Sequence, residues 1–72
     1  MMTIQEVLAQ AIADHRAGKT AEAIALYRKV LEQDPDQVDA LRLLGVCQIQ
    51  SGQGAEAESL LRRALSIAPN KG

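Results

Sequence analysis

Residues 18–35 read GKTAEAIALYRKVLEQDP, and residues 52–69 read GQGAEAESLLRRALSIAP. When the two stretches are aligned with a shift of 34 residues, eight positions are identical, from Gly18 and Gly52 at the start to Pro35 and Pro69 at the end. Unrelated stretches of this length and ordinary composition share about one or two identities. The chain therefore contains an internal repeat, and a period of this size is typical of stacked supersecondary units.

The spacing of apolar residues in the first repeat predicts two helices. Between residues 4 and 12, apolar side chains recur at i, i+3, i+4, i+7 and i+8, which is the pattern of one helical face. We expect this first helix to cover about residues 4–16, with Gly18 as the left-handed residue that ends it. A second helix is expected over about residues 20–33, with Thr20 as its N-cap. It should end at Asp34, because Pro35 disfavours a helical conformation in the residue before it.

The second repeat carries the same helix signals. We expect Asp36 to cap a third helix that ends before Gly52, and we expect a fourth helix to continue to Pro69. Repeat one then covers about residues 4–37, and repeat two covers about residues 38–71. The sequence therefore predicts an all-α fold of four helices, packed as two antiparallel helix-turn-helix pairs in a single domain over residues 1–72.

Composition and charge argue against several classes of function. The chain has 72 residues and one aromatic residue, Tyr27, so its core must be built from Ala, Leu, Ile and Val. Eight Lys and Arg against nine Asp and Glu give a net charge of -1, which leaves no basic face for nucleic acid. No apolar run approaches the roughly 20 residues of a membrane span, and the N-terminus lacks signal-peptide features. We therefore expect a cytoplasmic protein that binds neither nucleic acid nor a membrane.

The reactive side chains are too few to form a catalytic or metal site. With one cysteine, Cys47, and one histidine, His15, the chain cannot form a disulfide framework or an ordinary zinc cluster. Paired carboxylates, a Gly-rich phosphate loop and a Ser-His arrangement are not visible either. We interpret Cys47 and His15 as structural residues and Arg28 as part of a solvated helix face. No metal, cofactor or self-contained enzymatic activity is expected.

Small and turn-forming residues recur at matched positions of the two repeats. They are Gly18 and Gly52 in the turns, Ala23 and Ala57 early in the second helices, and the closing Pro35 and Pro69. On these residues the chain resembles the tetratricopeptide repeat (TPR) family over nearly its whole length. It also resembles the repeats at the N-termini of bacterial sulfotransferases, methyltransferases and glycosyltransferases. Gly45 and Ala57 are small where two helix axes must approach closely, which agrees with this resemblance.

The resemblance implies helical pairs stacked into an α-α superhelix whose concave groove is lined by the first helix of each pair. With Ala11 facing the paired helix, the helical phase places eight residues in this groove. They are Gln5, Leu8, Ile12 and His15 from repeat one, and Asp39, Arg42, Val46 and Ile49 from repeat two. An apolar surface with one cation and one anion suits an amphipathic helix or an extended peptide, with Arg42 free to bind a carboxylate. The alternative is that the apolar members of this set only pack on neighbouring helices.

The implied function is a non-catalytic module that binds a protein or peptide or associates with itself. The alternative is an N-terminal docking or oligomerisation segment of a larger transferase, whose catalytic domain the chain does not contain. About three repeats are usually needed for a stable stack, and this chain has two, so Leu61, Leu65 and Ile67 lack a following helix. Either the chain is a fragment whose next helix is missing, or two copies meet through these residues in a homodimer.

Overall fold

A computed structural model describes residues 2–67, and these residues form four α-helices. They are α1 (Ile4–Arg16), α2 (Thr20–Gln33), α3 (Val38–Gln50) and α4 (Gly54–Ile67). A shift of 34 residues superposes the bounds of α1 on those of α3, and the bounds of α2 on those of α4. The predicted all-α fold is therefore confirmed. The predicted stop of the fourth helix at Pro69 and the tail Asn70, Lys71 and Gly72 lie outside the described residues.

Two glycines end the first helix of each pair, as the sequence predicts. Gly18 and Gly52 both have a φ of 82°, a left-handed conformation that glycine adopts without steric cost. The residue after each glycine donates its backbone N–H back into the helix, from Lys19 to the Asp14 carbonyl at 2.8 Å and from Gln53 to the Gln48 carbonyl at 2.7 Å. These bonds satisfy carbonyls that the helix end leaves free and turn the chain sharply into the next helix.

Two of the predicted caps are wrong. Thr20 is the first residue of α2, and the cap position belongs to Lys19, which makes no side-chain cap bond, because the turn after Gly18 leaves a single residue before the helix. Asp36 does not cap α3. The side chain of Gln37 does so, and its Oε1 accepts from the N–H groups of Asp39 at 2.8 Å and Ala40 at 3.3 Å. Gln37 is one residue closer to the helix, so its longer side chain can fold back onto the first turn.

The start of α1 is fixed by a capping box that the sequence analysis did not predict. Thr3 Oγ1 accepts from the Glu6 N–H at 3.1 Å, and Glu6 Oε1 accepts from the Thr3 N–H at 2.8 Å. Two backbone donors that a helix start leaves free are thereby satisfied at once.

The core lies where α2 packs between α1 and α3. Its largest fully buried side chains are Tyr27, Leu41, Val30 and Cys47. On the α3–α4 side, a Cβ atom on Gly45 would lie 3.0 Å from Leu61 Cγ and 3.5 Å from the Ala57 carbonyl oxygen. This confirms that the two helices of repeat two approach closely at Gly45, where a larger side chain would collide with Leu61.

Candidate protein-interaction surfaces

The first helices of the two repeats, α1 and α3, lie side by side and are joined at their C-terminal ends by one side-chain hydrogen bond. His15 Nε2 lies 2.9 Å from Gln50 Oε1, and with its proton on Nε2 the imidazole donates to that oxygen. This contact agrees with the structural role expected for His15 from the sequence. Its partner is the side chain of the neighbouring repeat, so His15 helps to hold the two first helices together.

On α1, the predicted groove residues divide between surface and core. Gln5 is exposed, and Ile12 and His15 are half-buried. Leu8 is 6% exposed and belongs to the buried core cluster with residues of α2 and α3. For Leu8, and in part for Ile12, which packs against the same cluster, the alternative of packing on neighbouring helices describes the structure.

On α3, all four predicted groove residues are exposed. Val46 is 39% exposed and Ile49 is 55% exposed, one turn apart on the same helix. Arg42 lies one turn before Val46, and its Nη2 is 3.3 Å from Asp39 Oδ1, in an ion pair that solvent surrounds. We call the surface formed by the seven residues other than Leu8 the α1–α3 strip. It consists of Gln5, Ile12, His15, Asp39, Arg42, Val46 and Ile49.

The three residues predicted for self-association do not share one face of α4. Leu65 is 65% exposed, and Leu61, one turn before it, is half-buried against Gly45. Ile67 is 40% exposed, but it is rotated by about 200° from Leu65 around the helix. It lies on the side of Arg63, whose Nη2 reaches Asp36 Oδ1 in the α2–α3 loop at 3.4 Å. We call the surface of Leu61 and Leu65 the end face, because in the described part of the chain α4 is the last helix and contacts α3 alone among the helices.

The two buried side chains with ionisable groups, Tyr27 and Cys47, lie deep between the helices. Burial raises the pKa of Tyr27 to about 12, with a smaller contribution from the nearby Cys47, and burial also raises the pKa of the Cys47 thiol. A buried thiol with a raised pKa carries little thiolate and is a poor nucleophile. Within residues 2–67, no group of three or more His, Cys, Asp or Glu side chains could hold a metal ion.

A cavity that is open to solvent lies on the other side of α3, between α2 and α4, and it was not predicted from the sequence. It has a volume of about 530 Å³ and is lined by Arg28, Leu44, Gln48, Glu56, Ser59 and Leu60. Gln48 is 2% exposed, and its Oε1 has no hydrogen-bond partner. One signal could have indicated this site, since Leu41, Leu44 and Gln48 follow the i, i+3, i+7 spacing of a buried helical face, with a polar residue at the third position.

Comparison with known proteins decides the family. A tetratricopeptide repeat model matches residues 14–71. The chain belongs to the tetratricopeptide repeat family. TPR units are in general non-catalytic modules that bind other proteins, and the family match supports a protein-interaction module in general.

Two relatives of this TPR chain carry names from cellulose synthase operons. The chain is 40% identical over 60 residues to cellulose synthase 2 operon protein C of Komagataeibacter xylinus, which covers 83% of the chain and 5% of that protein. It is 38% identical over 47 residues to cellulose synthase operon protein C of Pseudomonas fluorescens, which covers 65% of the chain and 4% of that protein. The chain thus matches only a small part of each relative's length.

These names leave several expectations untested. Neither relative is named as a transferase, so the resemblance to transferase repeats stays a prediction. Among the described residues, no helix is both long and apolar enough to cross a membrane. The cytoplasmic location and the exclusion of nucleic acid stay predictions.

Proposed function

We propose that this TPR chain binds an amphipathic helix or an extended peptide on the α1–α3 strip. The observation that carries the proposal is the adjacent pair Val46 and Ile49, two large apolar side chains that α3 leaves exposed one turn apart. Single exposed apolar residues are common on protein surfaces, but neighbouring ones next to polar groups favour a binding site. A partner that covers both side chains removes apolar surface from water, which favours association.

Arg42 supplies the polar end of this site. Its ion pair with Asp39 is exposed on both sides, and such pairs contribute only about 0–1 kcal/mol. A carboxylate on the partner can therefore replace Asp39 at little cost and form a bidentate pair with the guanidinium. This favours a partner peptide with an acidic side chain one helical turn away from its apolar residues.

Selection of binding peptides from a random display library against the whole chain, followed by titration of a selected peptide, tests the proposal. Replacing both apolar residues, Val46→Lys with Ile49→Lys, should weaken binding by about tenfold or more, because the contact loses about 1.4 kcal/mol or more of apolar burial. The helical circular dichroism should stay unchanged, since both side chains are exposed. The control is Leu65→Lys, at an apolar residue outside the strip that is 65% exposed, more than Val46 or Ile49. If the control weakens binding as much as the double variant does, the strip is not the site.

A second candidate function is self-association through the end face, which rests on the 65% exposure of Leu65. A head-to-tail contact would place α1 of a second copy on α4, as α3 lies on α2 within the chain. Three side chains of α3 enter the core cluster there, namely Ala40, Leu44 and Cys47. The matched residues of α1, 34 positions earlier, are exposed, and two of them, Glu6 and Gln10, are polar. A symmetric contact between two end faces avoids burying these polar groups and is the form we propose.

Sedimentation equilibrium of the whole chain over a wide concentration range tests this second function. The native chain should reach a dimer mass, and Leu65→Glu should give a monomer with unchanged helicity. We choose Leu65 alone because a charge at Leu61 would also disturb its packing on Gly45. A native chain that stays monomeric throughout, or a Leu65→Glu variant that still dimerises, would rule out the end-face dimer.

A further inference from the structure

The cavity between α2 and α4 is separate from the α1–α3 strip and from the end face. Its floor comes from α3, through Leu44 and Gln48, and its walls come from the second helices of the two repeats. Its volume is about 530 Å³, and it is open to solvent rather than enclosed, so a ligand would lie in a shallow groove between the helices. None of its six lining residues belongs to the strip, so a ligand here would occupy a second site.

The floor of this cavity contains a buried polar group without a partner. In repeat one, the matched residue Asp14 accepts a hydrogen bond from Gln10 Nε2 at 3.0 Å. In repeat two, Leu44 stands at the position of Gln10, so Gln48 has lost the partner one turn before it. Its Oε1 is buried and makes no hydrogen bond. An unsatisfied buried acceptor destabilises the folded chain unless a donor reaches it.

The walls of the cavity carry opposite charges that do not pair with each other. Arg28 lies on the α2 wall and Glu56 lies on the α4 wall. Among the described residues, the ion pairs are Arg42–Asp39, Arg62–Glu58 and Arg63–Asp36, so neither Arg28 nor Glu56 is engaged. Both charges are therefore available to a ligand that enters between the helices.

We propose that this cavity binds a short extended peptide segment that carries both an acidic and a basic side chain. The carboxylate of the segment pairs with Arg28, and its ammonium group pairs with Glu56. The side-chain amide of Gln48 on the floor hydrogen-bonds to the backbone of the segment. Leu44 and Leu60 contact the apolar atoms between the two charges. A peptide is favoured because it combines both charges with backbone hydrogen-bonding groups, at a spacing that its sequence can adjust.

The test uses the whole chain labelled with ¹⁵N and a capped peptide, acetyl-Asp-Ala-Leu-Lys-amide, followed by NMR. Addition of the peptide should shift the side-chain amide signal of Gln48 and the backbone amides around Arg28 and Glu56, in a saturable way. Two comparison peptides carry one sign of charge, acetyl-Asp-Ala-Leu-Asp-amide and acetyl-Lys-Ala-Leu-Lys-amide. Each should bind about two- to fivefold more weakly, since one exposed ion pair is lost and a like charge is added. Equal affinity for the three peptides, or shifts confined to the α1–α3 strip, would overturn the proposal.

Two kinds of variant assign the roles of the lining residues. Arg28→Gln and Glu56→Gln should each weaken binding of the mixed-charge peptide by about two- to fivefold. Arg28→Gln should leave the thermal midpoint unchanged, whereas Glu56→Gln should lower it slightly, because Glu56 lies in the first turn of α4. Gln48→Met keeps the volume and removes the unpaired acceptor, so it should raise the thermal midpoint and still weaken peptide binding. A Gln48→Met chain that binds as tightly as the native one would show that Gln48 has no role in binding. The double variant with Val46→Lys and Ile49→Lys should bind this peptide as tightly as the native chain does. The experiment therefore distinguishes a failure of the cavity proposal from a failure of the proposal that peptides bind on the α1–α3 strip.

Discussion

The second helices of the two repeats, α2 and α4, have matched sequences but different surroundings. Leu31 on α2 is half-buried and packs against the core cluster, whereas Leu65, the matched residue on α4, is 65% exposed. α2 contacts both α1 and α3, while in the described part of the chain α4 contacts α3 alone among the helices. The same local sequence thus forms the same helix, and the number of neighbouring helices decides how much of it is buried.

In a repeat, the bounds of the helices and the burial of their side chains have different causes. The bounds of the helices depend on local signals, and they recur after 34 residues without a change. The burial of a side chain depends on which helices pack against it. The exposure of Leu31 and of the matched Leu65 therefore differs between the two repeats. In the described part of the chain, α4 therefore has an exposed side at Leu65, where the matched side of α2 is covered by α3.

The largest expected difference between the repeats concerns Tyr27, which is fully buried where repeat two has Leu61. The pKa of Tyr27 is raised from 10.0 to about 12. Above pH 10 the unfolded chain loses the phenol proton, while the folded chain retains it up to about pH 12. The free energy of unfolding should therefore be unaffected by this group below pH 10 and fall by about 3 kcal/mol as the pH rises through 12. Urea unfolding followed by circular dichroism at pH 8 to 12 measures this loss.

Tyr27→Phe is the matched control for this alkaline loss. It removes the titrating group and an oxygen that has no hydrogen-bond partner, so stability at neutral pH should stay equal or rise slightly. In Tyr27→Phe, the fall in the free energy of unfolding at alkaline pH should then be smaller. The remaining fall is due to Cys47, because its raised pKa acts in the same direction. An undiminished loss in Tyr27→Phe would assign the effect to other groups.

A second pair of variants measures the effect of covering α2 but not α4. Leu31→Ala should lower the free energy of unfolding by about 2 kcal/mol, because a large side chain is removed from contact with the core. Leu65→Ala should change it by less than about 0.5 kcal/mol, as expected for an exposed position. Chemical unfolding at a low protein concentration, at which the chain is monomeric, provides both values. If the two substitutions cost the same, another part of the molecule covers Leu65, and the contrast between α2 and α4 is wrong.

The features that the sequence predicted correctly are those that local chemistry decides. The left-handed Gly18 and Gly52 and the 34-residue period placed all four helices, because glycine turns and apolar spacing act within a few residues. The helix caps were harder to predict, because Asp36 and Gln37 are neighbouring residues and either could act as the N-cap of α3. The burial of Leu8 and the cavity at Gln48 required the third dimension. Both depend on how closely α3 approaches its neighbours. The spacing of Leu41, Leu44 and Gln48 indicates a buried face of α3, but it does not indicate that a cavity opens beside this face.

The smallest expected effect tests the matched helix starts, Thr3 before α1 and Gln37 before α3. Thr3→Ala removes the side-chain half of a capping box and should lower the free energy of unfolding by about 1 kcal/mol. Gln37→Ala removes bonds at 2.8 and 3.3 Å to two backbone N–H groups, but it acts on a helix that α2 and α4 already hold on two sides. Hydrogen exchange of the first-turn amides distinguishes them. We expect Thr3→Ala to speed exchange throughout the first turn of α1, and Gln37→Ala to speed it only at Asp39 and Ala40. If both helices fray equally at their first turns, the neighbours of α3 do not stabilise its start. The difference in stabilisation by neighbouring helices would then be limited to the second helices of the two repeats, α2 and α4.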